Sequence, residues 1–430
     1  MPKFIAWPML ITVLSLPWTA FSQVWLPDRQ INEGPGIRLG DKLLFHPGAA
    51  IEGGYDTNAL RRPDGDGAGR LRLSAYTDLA TRSKARRTED EGVADATPPK
   101  LDFRLGLAGF YDFYFSDVPL VDEQDEFGCD GNLSLILFPY GNYTLTVGAQ
   151  FLRVPDAYES PQKFHARNDI RPRVGLRIRP GGGTLIVILN GTLDVLIYDE
   201  DVVANRNNRA AYDLMLETIW QFLPKTALVS RIRFSPINYL SPYHINNNSR
   251  PVRAYLGVRG LFTRRFGLSL FVGYGASFYQ KGEDFDGVIA NGELMFFITP
   301  LANLRLGAER DFVDSFYANF YVKNGGYMVY EQMFLKRLLV SLKGEIFHRQ
   351  YSYLAGQYGT TSPNTAHRKD LWTGATLLLE LRALDWLSIL ASFVYRGNVS
   401  NFSYSSNADD QSGWVDFQRF EIMGGVKAHY

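Results

Sequence analysis

Phe417-Gln418-Arg419-Phe420-Glu421-Ile422-Met423-Gly424-Gly425-Val426-Lys427-Ala428-His429-Tyr430 ends the sequence, and its reading decides the fold. Every second residue is apolar or small: Phe420, Ile422, Gly424, Val426, Ala428 and Tyr430. Between them stand Arg419, Glu421, Met423, Gly425, Lys427 and His429. A period of two is that of a β-strand, here with one greasy and one mostly polar face. A soluble sandwich would bury the greasy face against a second sheet, whereas a barrel in a bilayer would turn it to lipid.

The same alternation recurs upstream. Phe45, Pro47, Ala49, Ile51, Gly53 and Tyr55 alternate with His46, Gly48, Ala50, Glu52, Gly54 and Asp56. Leu101, Phe103, Leu105, Leu107, Tyr111, Phe113 and Phe115 share a face opposed to Asp102, Arg104, Gly106 and Asp112. The pattern predicts about eighteen strands (16–18) of a dozen residues or more, whereas globular strands average about 5–6. Tight turns at Pro139, Pro180, Pro224, Thr263, Pro300, Leu335 and Ala383 alternate with longer connections such as 199–209, 236–250, 351–367 and 398–415. Short periplasmic turns and long outer loops are the habit of a transmembrane antiparallel up-and-down β-barrel. The predicted class is therefore all-β, and an even strand number places both termini in the periplasm. Thr81–Lys100 is the misfit, a long charged segment on the short-turn side.

The terminal stretch resembles the assembly strand of bacterial outer-membrane barrels. That resemblance makes Phe420, Ile422, Gly424, Val426, Ala428 and Tyr430 the assembly signal and implies the barrel-assembly machinery as a partner. Leu304-Arg305-Leu306-Gly307-Ala308-Glu309-Arg310-Asp311, followed by residues 316–332, resembles the β-barrel porins associated with exopolysaccharide export. Phe45-His46-Pro47-Gly48 through Asp56 is similar to that family's first strand. The resemblance implies an outer-membrane location, service in surface-polysaccharide export and periplasmic export partners. It carries no catalytic residue over.

Composition agrees with an envelope protein. The 430 residues hold 45 basic and 45 acidic side chains, so no bulk charge favours nucleic acid. Aromatics reach 14%, which suits interfacial girdles beside outer-membrane lipids. The single Cys129 excludes an intramolecular disulfide framework and a cysteine zinc cluster. Lys3, the apolar run Phe4–Trp18 and the small-x-small site Ala20-Phe21-Ser22 read as a signal peptide over residues 1–22, cleaved near Ser22. Residues 23–42 read as a periplasmic lead-in, and residues 43–430 as the barrel. No cofactor is expected.

With apolar residues on lipid, the alternates line a lumen. The basic set is Arg171, Arg173, Arg177, Arg179, Arg231, Arg233, Arg253, Arg259, Arg305 and Lys343. The acidic set is Asp213, Glu217, Glu293, Glu309, Glu331, Glu345 and Glu380. One reading is a wall that attracts an anionic solute or polymer, since a guanidinium binds carboxylate or phosphate with two parallel hydrogen bonds. Alginate-type exporters have a similar arginine-lined lumen. The other reading is that these charges pair across strands and fill the barrel. Tyr255, Tyr321 and Tyr327, with Tyr198, Tyr279 and Phe271, also point inward, either as a track for sugar rings or as packing against an inserted loop.

Cys129 falls on the lipid side as an inert apolar residue. His46 and His429 are inward near the periplasmic end, but no carboxylate in register completes a metal site, so none is expected. Gly181-Gly182-Gly183 is turn chemistry, with no P-loop spacing. Three functions follow: a transport barrel for a surface polysaccharide or anionic solutes; a sealed docking barrel of an envelope machine; and a lipid hydrolase around His348. The last needs a nucleophile that the pattern does not place, and the chain is not expected to be an enzyme.

Overall fold

The computed structural model describes residues 34–40, 43–63, 65–81, 100–122, 125–155, 166–200, 204, 207–241, 247–315, 318–352, 368–405 and 412–430. Eighteen long strands follow in chain order. They are β1 (Leu43–Asp56), β2 (Ala68–Ala80), β3 (Leu101–Phe115), β4 (Glu126–Leu137), β5 (Tyr143–Val154) and β6 (Arg167–Ile178). Then come β7 (Leu185–Tyr198), β8 (Arg209–Leu223), β9 (Thr226–Phe234), β10 (Ser249–Leu261), β11 (Phe266–Tyr279) and β12 (Phe285–Thr299). The last six are β13 (Ala302–Asp314), β14 (Phe320–Phe334), β15 (Leu338–Tyr351), β16 (Lys369–Leu384), β17 (Leu387–Ser400) and β18 (Phe417–His429).

Each strand pairs antiparallel with the next. β18 then pairs with β17 on one side and β1 on the other, with Ala49 opposite Ala428 and Asp56 opposite Glu421. The sheet closes on itself, so every backbone donor along the seam finds an acceptor without water. Two short pieces are appended. Ile37–Leu39 folds back on the start of β1, and Ile237–Tyr239 continues the edge beyond β9 to pair with β8. No helix among the described residues is long and apolar enough to cross a membrane.

The turns sort as the sequence predicts. At one end the connections are 138–142, 179–184, 224–225, 262–265, 300–301, 335–337 and 385–386. At the other they include 57–67, 116–125, 155–166, 199–208, 235–248, 352–368 and 401–416. Leu335 and Lys336 both adopt positive φ, 50° and 58°, the geometry that lets a two-residue turn match the twist of its strands. The long segment expected on the short-turn side lies mostly outside the described residues, as do the signal peptide and residues 23–33. Phe316, read as the start of a strand, is also outside them; the observed strand begins at Phe320.

The outward face of the eighteen strands is mostly Leu, Val, Ile, Ala, Gly and aromatics, with a few hydroxyl residues such as Thr218 and Ser230 and with charges only near its loop end. Leu256, Phe278 and Ile422 are each 57–58% exposed to the surroundings, while Asp169 and Glu217 on the inner face are fully buried. The aromatics Trp220, Phe222, Phe234, Phe262, Tyr274 and Phe278 all lie on the outer surface, as girdle residues would. Cys129, opposite Arg153, is on the outward face of β4. An exterior with this much exposed apolar side chain belongs in a bilayer, and a closed barrel is the β-architecture that a bilayer accepts.

Candidate functional site: the inner wall

The period of two brings every member of the basic and acidic sets expected to line the lumen to the inner face. On β6 these are Arg167, Asp169, Arg171, Arg173 and Arg177, with Arg179 just past the strand. The loop-end half is neutralised. Arg167 grips Asp169 at 2.6 and 2.9 Å, and Arg171 bridges Asp169 (3.2 Å) and Asp194 (2.9 Å). The turn-end half differs. Arg177 donates to the Pro139 carbonyl and the Thr144 hydroxyl. Arg173 and Arg179 make no ion pair among the described residues. Arg173 lies flat on Gly148 of β5, where a Cβ would come within 2.7 Å of its Nε. The sequence therefore keeps a glycine where the guanidinium needs room.

Most other charges are paired, as the second sequence reading anticipated. Arg231 meets Glu217 at 2.5 Å, and Arg259 approaches the same carboxylate at 3.9 Å. Arg233 pairs with Asp213 at 2.5 Å, Arg305 with Glu331 at 3.6 Å, Lys343 with Glu345 at 2.6 Å, and Lys323 with Glu309 at 3.1 Å. Tyr327 donates to Glu293 at 2.6 Å. Glu380 shares the inner face of β16 with Arg382.

The aromatics pack. Tyr321 lies against Tyr351, with centroids 5.1 Å apart, and under Arg349. Tyr255 touches two clusters, one built on Ile219, Val229 and Phe271, the other on Phe285, Ile289, Phe312 and Phe320. Arg167 sits over Tyr198. His46 and His429 are both buried on the inner side, and the hydroxyl of Tyr76 comes within 3.5 Å of His429 Nδ1. His348 faces outward with Asn324 and Leu371 as its cross-strand neighbours, so no serine stands beside it in the ladder.

Two features escaped sequence reading. The first is a buried ionic ladder across the closing seam. Asp56 accepts a bidentate grip from Arg419; Arg419 lies 3.8 Å from Glu421; Glu421 meets Arg70 at 3.2 Å; Arg70 and Arg72 both hold Asp112, the latter at 2.6 Å. Inward parity on β1, β2, β3 and β18 would have shown these residues facing the lumen. Their mutual contact needs the closure itself. Above them, loops 57–67 and 116–122 fold over the inner wall, burying Ala59, Leu60 and Val121 against Tyr114.

The second feature is an inserted strand end. The β12–β13 ladder ends at Ala290–Arg310, although β12 begins at Phe285 and β13 runs on to Asp314. Strict alternation would put Phe312 on lipid with Leu306 and Ala308. Instead Phe312 is fully buried, stacks on the lumen-facing Phe285, and lies 3.9 Å beneath the Arg253 guanidinium. Arg253 also donates to Asp311 (3.0 Å) and to the Phe312 carbonyl (2.7 Å). Ser249 and Tyr279 both donate to Asp314, at 2.8 and 2.9 Å. The end of β13, Asp311–Asp314, is thus clamped inside the barrel against β10–β12.

No family model and no curated protein matches the chain. Solved structures do match. The Pseudomonas aeruginosa protein OpdK with vanillate is 10% identical, the match covering 90% of this chain and 99% of that one at a TM-score of 0.47. OccAB3 of Acinetobacter baumannii is 12% identical over 90% of this chain and 99% of that one at 0.43. OccK2 (OpdF) of Pseudomonas aeruginosa in complex with glucuronate is 11% identical over 89% and 97% at 0.47. By its own geometry, a closed wall of eighteen strands that is apolar outside and charged within, this chain is a transmembrane β-barrel of the outer-membrane type.

Proposed function

We propose that the barrel is a channel for anionic solutes. The observation that carries this reading is the turn-end half of β6, where Arg173, Arg177 and Arg179 face inward as a like-charged row and Arg173 and Arg179 make no ion pair among the described residues. Barrels of 16–18 strands are wide enough to enclose water, and in a low-dielectric wall an arginine attracts an anion more strongly than in bulk water. Four-residue and two-residue spacings put the three guanidinium groups roughly 13 and 7 Å apart along the strand. A carboxylate could pass from one to the next. The likeness of Leu304–Asp311 to export-associated barrels supports an acidic surface polysaccharide as the cargo, in place of a small acid.

Planar-bilayer recordings in a KCl gradient test the proposal. The expected result is an anion-selective reversal potential that moves toward zero in R173Q/R177Q/R179Q. A cation-selective or electrically silent barrel would overturn it. Glucuronate and alginate oligomers, added from the short-turn side, distinguish the cargos by which of them blocks the current at lower concentration.

A further inference from the structure

Charged side chains are rare on the outward face, and all of those within the strands lie near the loop end. They are Arg153 on β5, Arg250 on β10, Asp286 on β12, Arg310 on β13 and Lys369 on β16, with the titratable His348 on β15. Arg153 carries its own counter-charge, Asp199 at 2.6 Å, in a network closed by Asn168. The β13–β16 sector has none. Arg310 donates to the Val288 carbonyl (3.1 Å) and to Asn324 (2.6 Å), and none of Arg310, His348 and Lys369 makes an ion pair among the described residues. All three are exposed.

Their register places them together. Arg310 is opposite Asn324, Asn324 opposite His348, His348 opposite Leu371, and Gln350 opposite Lys369. With strands about 4.8 Å apart, Arg310 and His348 stand roughly 10 Å apart, and Lys369 lies one strand further on. The outward carboxylate beside the sector is Asp286 on β12, two residues from Val288, and it makes no ion pair with Arg310 among the described residues.

Two independent observations say what covers this patch. Outward aromatics mark the loop-end girdle on β8, β9 and β11 (Tyr212, Phe234, Tyr274, Phe278) and again on β17 and β18 (Tyr395, Phe420). Between them, β12–β16 carry no outward aromatic in their loop halves, and the three basic groups take that level. In addition, the wall is notched here, because the β12–β13 ladder stops at Arg310 and the strand end passes inside. A headgroup can enter where a ring would otherwise lie.

We infer that this sector binds the phosphate-bearing headgroup of an outer-leaflet glycolipid. The patch sits at the depth of headgroups and faces lipid, and none of its three basic groups makes an ion pair among the described residues. Arginine offers a fork to phosphate, lysine a point charge and histidine a ring N–H. The inference depends on the outward assignment of these residues and is independent of what passes through the lumen.

The test uses the full barrel in detergent, incubated with diphosphoryl lipid A or its dephosphorylated form and examined by native mass spectrometry. The wild type should retain the phosphorylated lipid preferentially, and R310Q/K369Q should lower that retention about tenfold, as expected for losing a charge-assisted contact. Arg153→Gln, whose charge is already met, should leave retention unchanged. Lys369→Ala, a single change at the rim, gives the same readout if the double variant fails to fold, with heat-modified gel mobility reporting the fold. Equal retention of the two lipids, or retention by both patch variants at the wild-type level, would overturn the inference. So would displacement by millimolar inorganic phosphate at unchanged lipid, which marks a free-phosphate site.

Discussion

Phe312 stacks on Phe285 with centroids 4.2 Å apart, although the strands that carry them have already parted company at Ala290 and Arg310. The contact is therefore made by side chains and not inherited from the ladder. Together with the Arg253 clamp it holds the end of β13 in the lumen.

Phe312→Ala should release that end. A buried phenylalanine truncated to alanine costs about 3–5 kcal/mol, and here the stacking and the cation–π contact with Arg253 go with it. The expected outcome is a larger single-channel conductance with the barrel still closed. Recordings beside the wild type check it, and an unchanged conductance would show that the strand end does not narrow the path.

Arg419→Met removes one partner from the seam ladder and leaves Asp56, the last residue of β1, buried without that guanidinium. Breaking a buried pair in this way costs about 3–5 kcal/mol. The temperature at which the barrel loses its compact gel mobility should fall. D56N/R419M, which removes both charges, should recover a substantial part of the loss.

Gly48→Ala tests the close approach of Tyr76. The phenol ring occupies the place of the missing Cβ, and its hydroxyl donates to the Ala428 carbonyl at 3.0 Å. Overpacking of this kind costs about 1–3 kcal/mol. The double variant G48A/Y76A should destabilise by less than the sum of its parts, which a double-mutant cycle of midpoints measures.

Leu256→Arg and Ser392→Arg separate outside from inside. The first lies at mid-height on the outward face of β10, the second on the inward face of β17. An arginine on the lipid face near the midplane costs about 2–4 kcal/mol, whereas a lumen position tolerates it. Folding yield into lipid vesicles should drop for L256R and hold for S392R. The opposite order would reverse the assignment of faces.

The fold was legible because its signal is local and repeated. A period of two over Arg167–Ile178 or Thr226–Phe234 needs no tertiary knowledge, and it placed Arg173, Arg177, Arg231 and Arg233 on the correct face. What those arginines touch was less legible. Glu217 serves Arg231, which stands directly opposite, and Arg259, four residues along β10 from the Tyr255 that shares their row, which depends on register and side-chain reach and not on parity. The pairing of Arg70 with Glu421 spans 351 residues and exists only once the wall has closed. Phe312 defied its parity because the ladder with β12 stops two residues before it, while the ladder with β14 runs on to Asp314 and the paired strand ends turn inward together. Local patterns lose their authority where the ladder ends.

The join between β1 and β18 also bears on biogenesis. Asp56 and Arg419 are 363 residues apart and yet lock one cylinder. Synthesis of the first seventeen strands leaves two raw margins that can bond to any passing ribbon. Only delivery of the thirteen residues Phe417–His429 turns that sticky intermediate into a finished tube. A truncated copy should therefore be recognised as defective by its appetite for neighbours well before any loss of transport is felt.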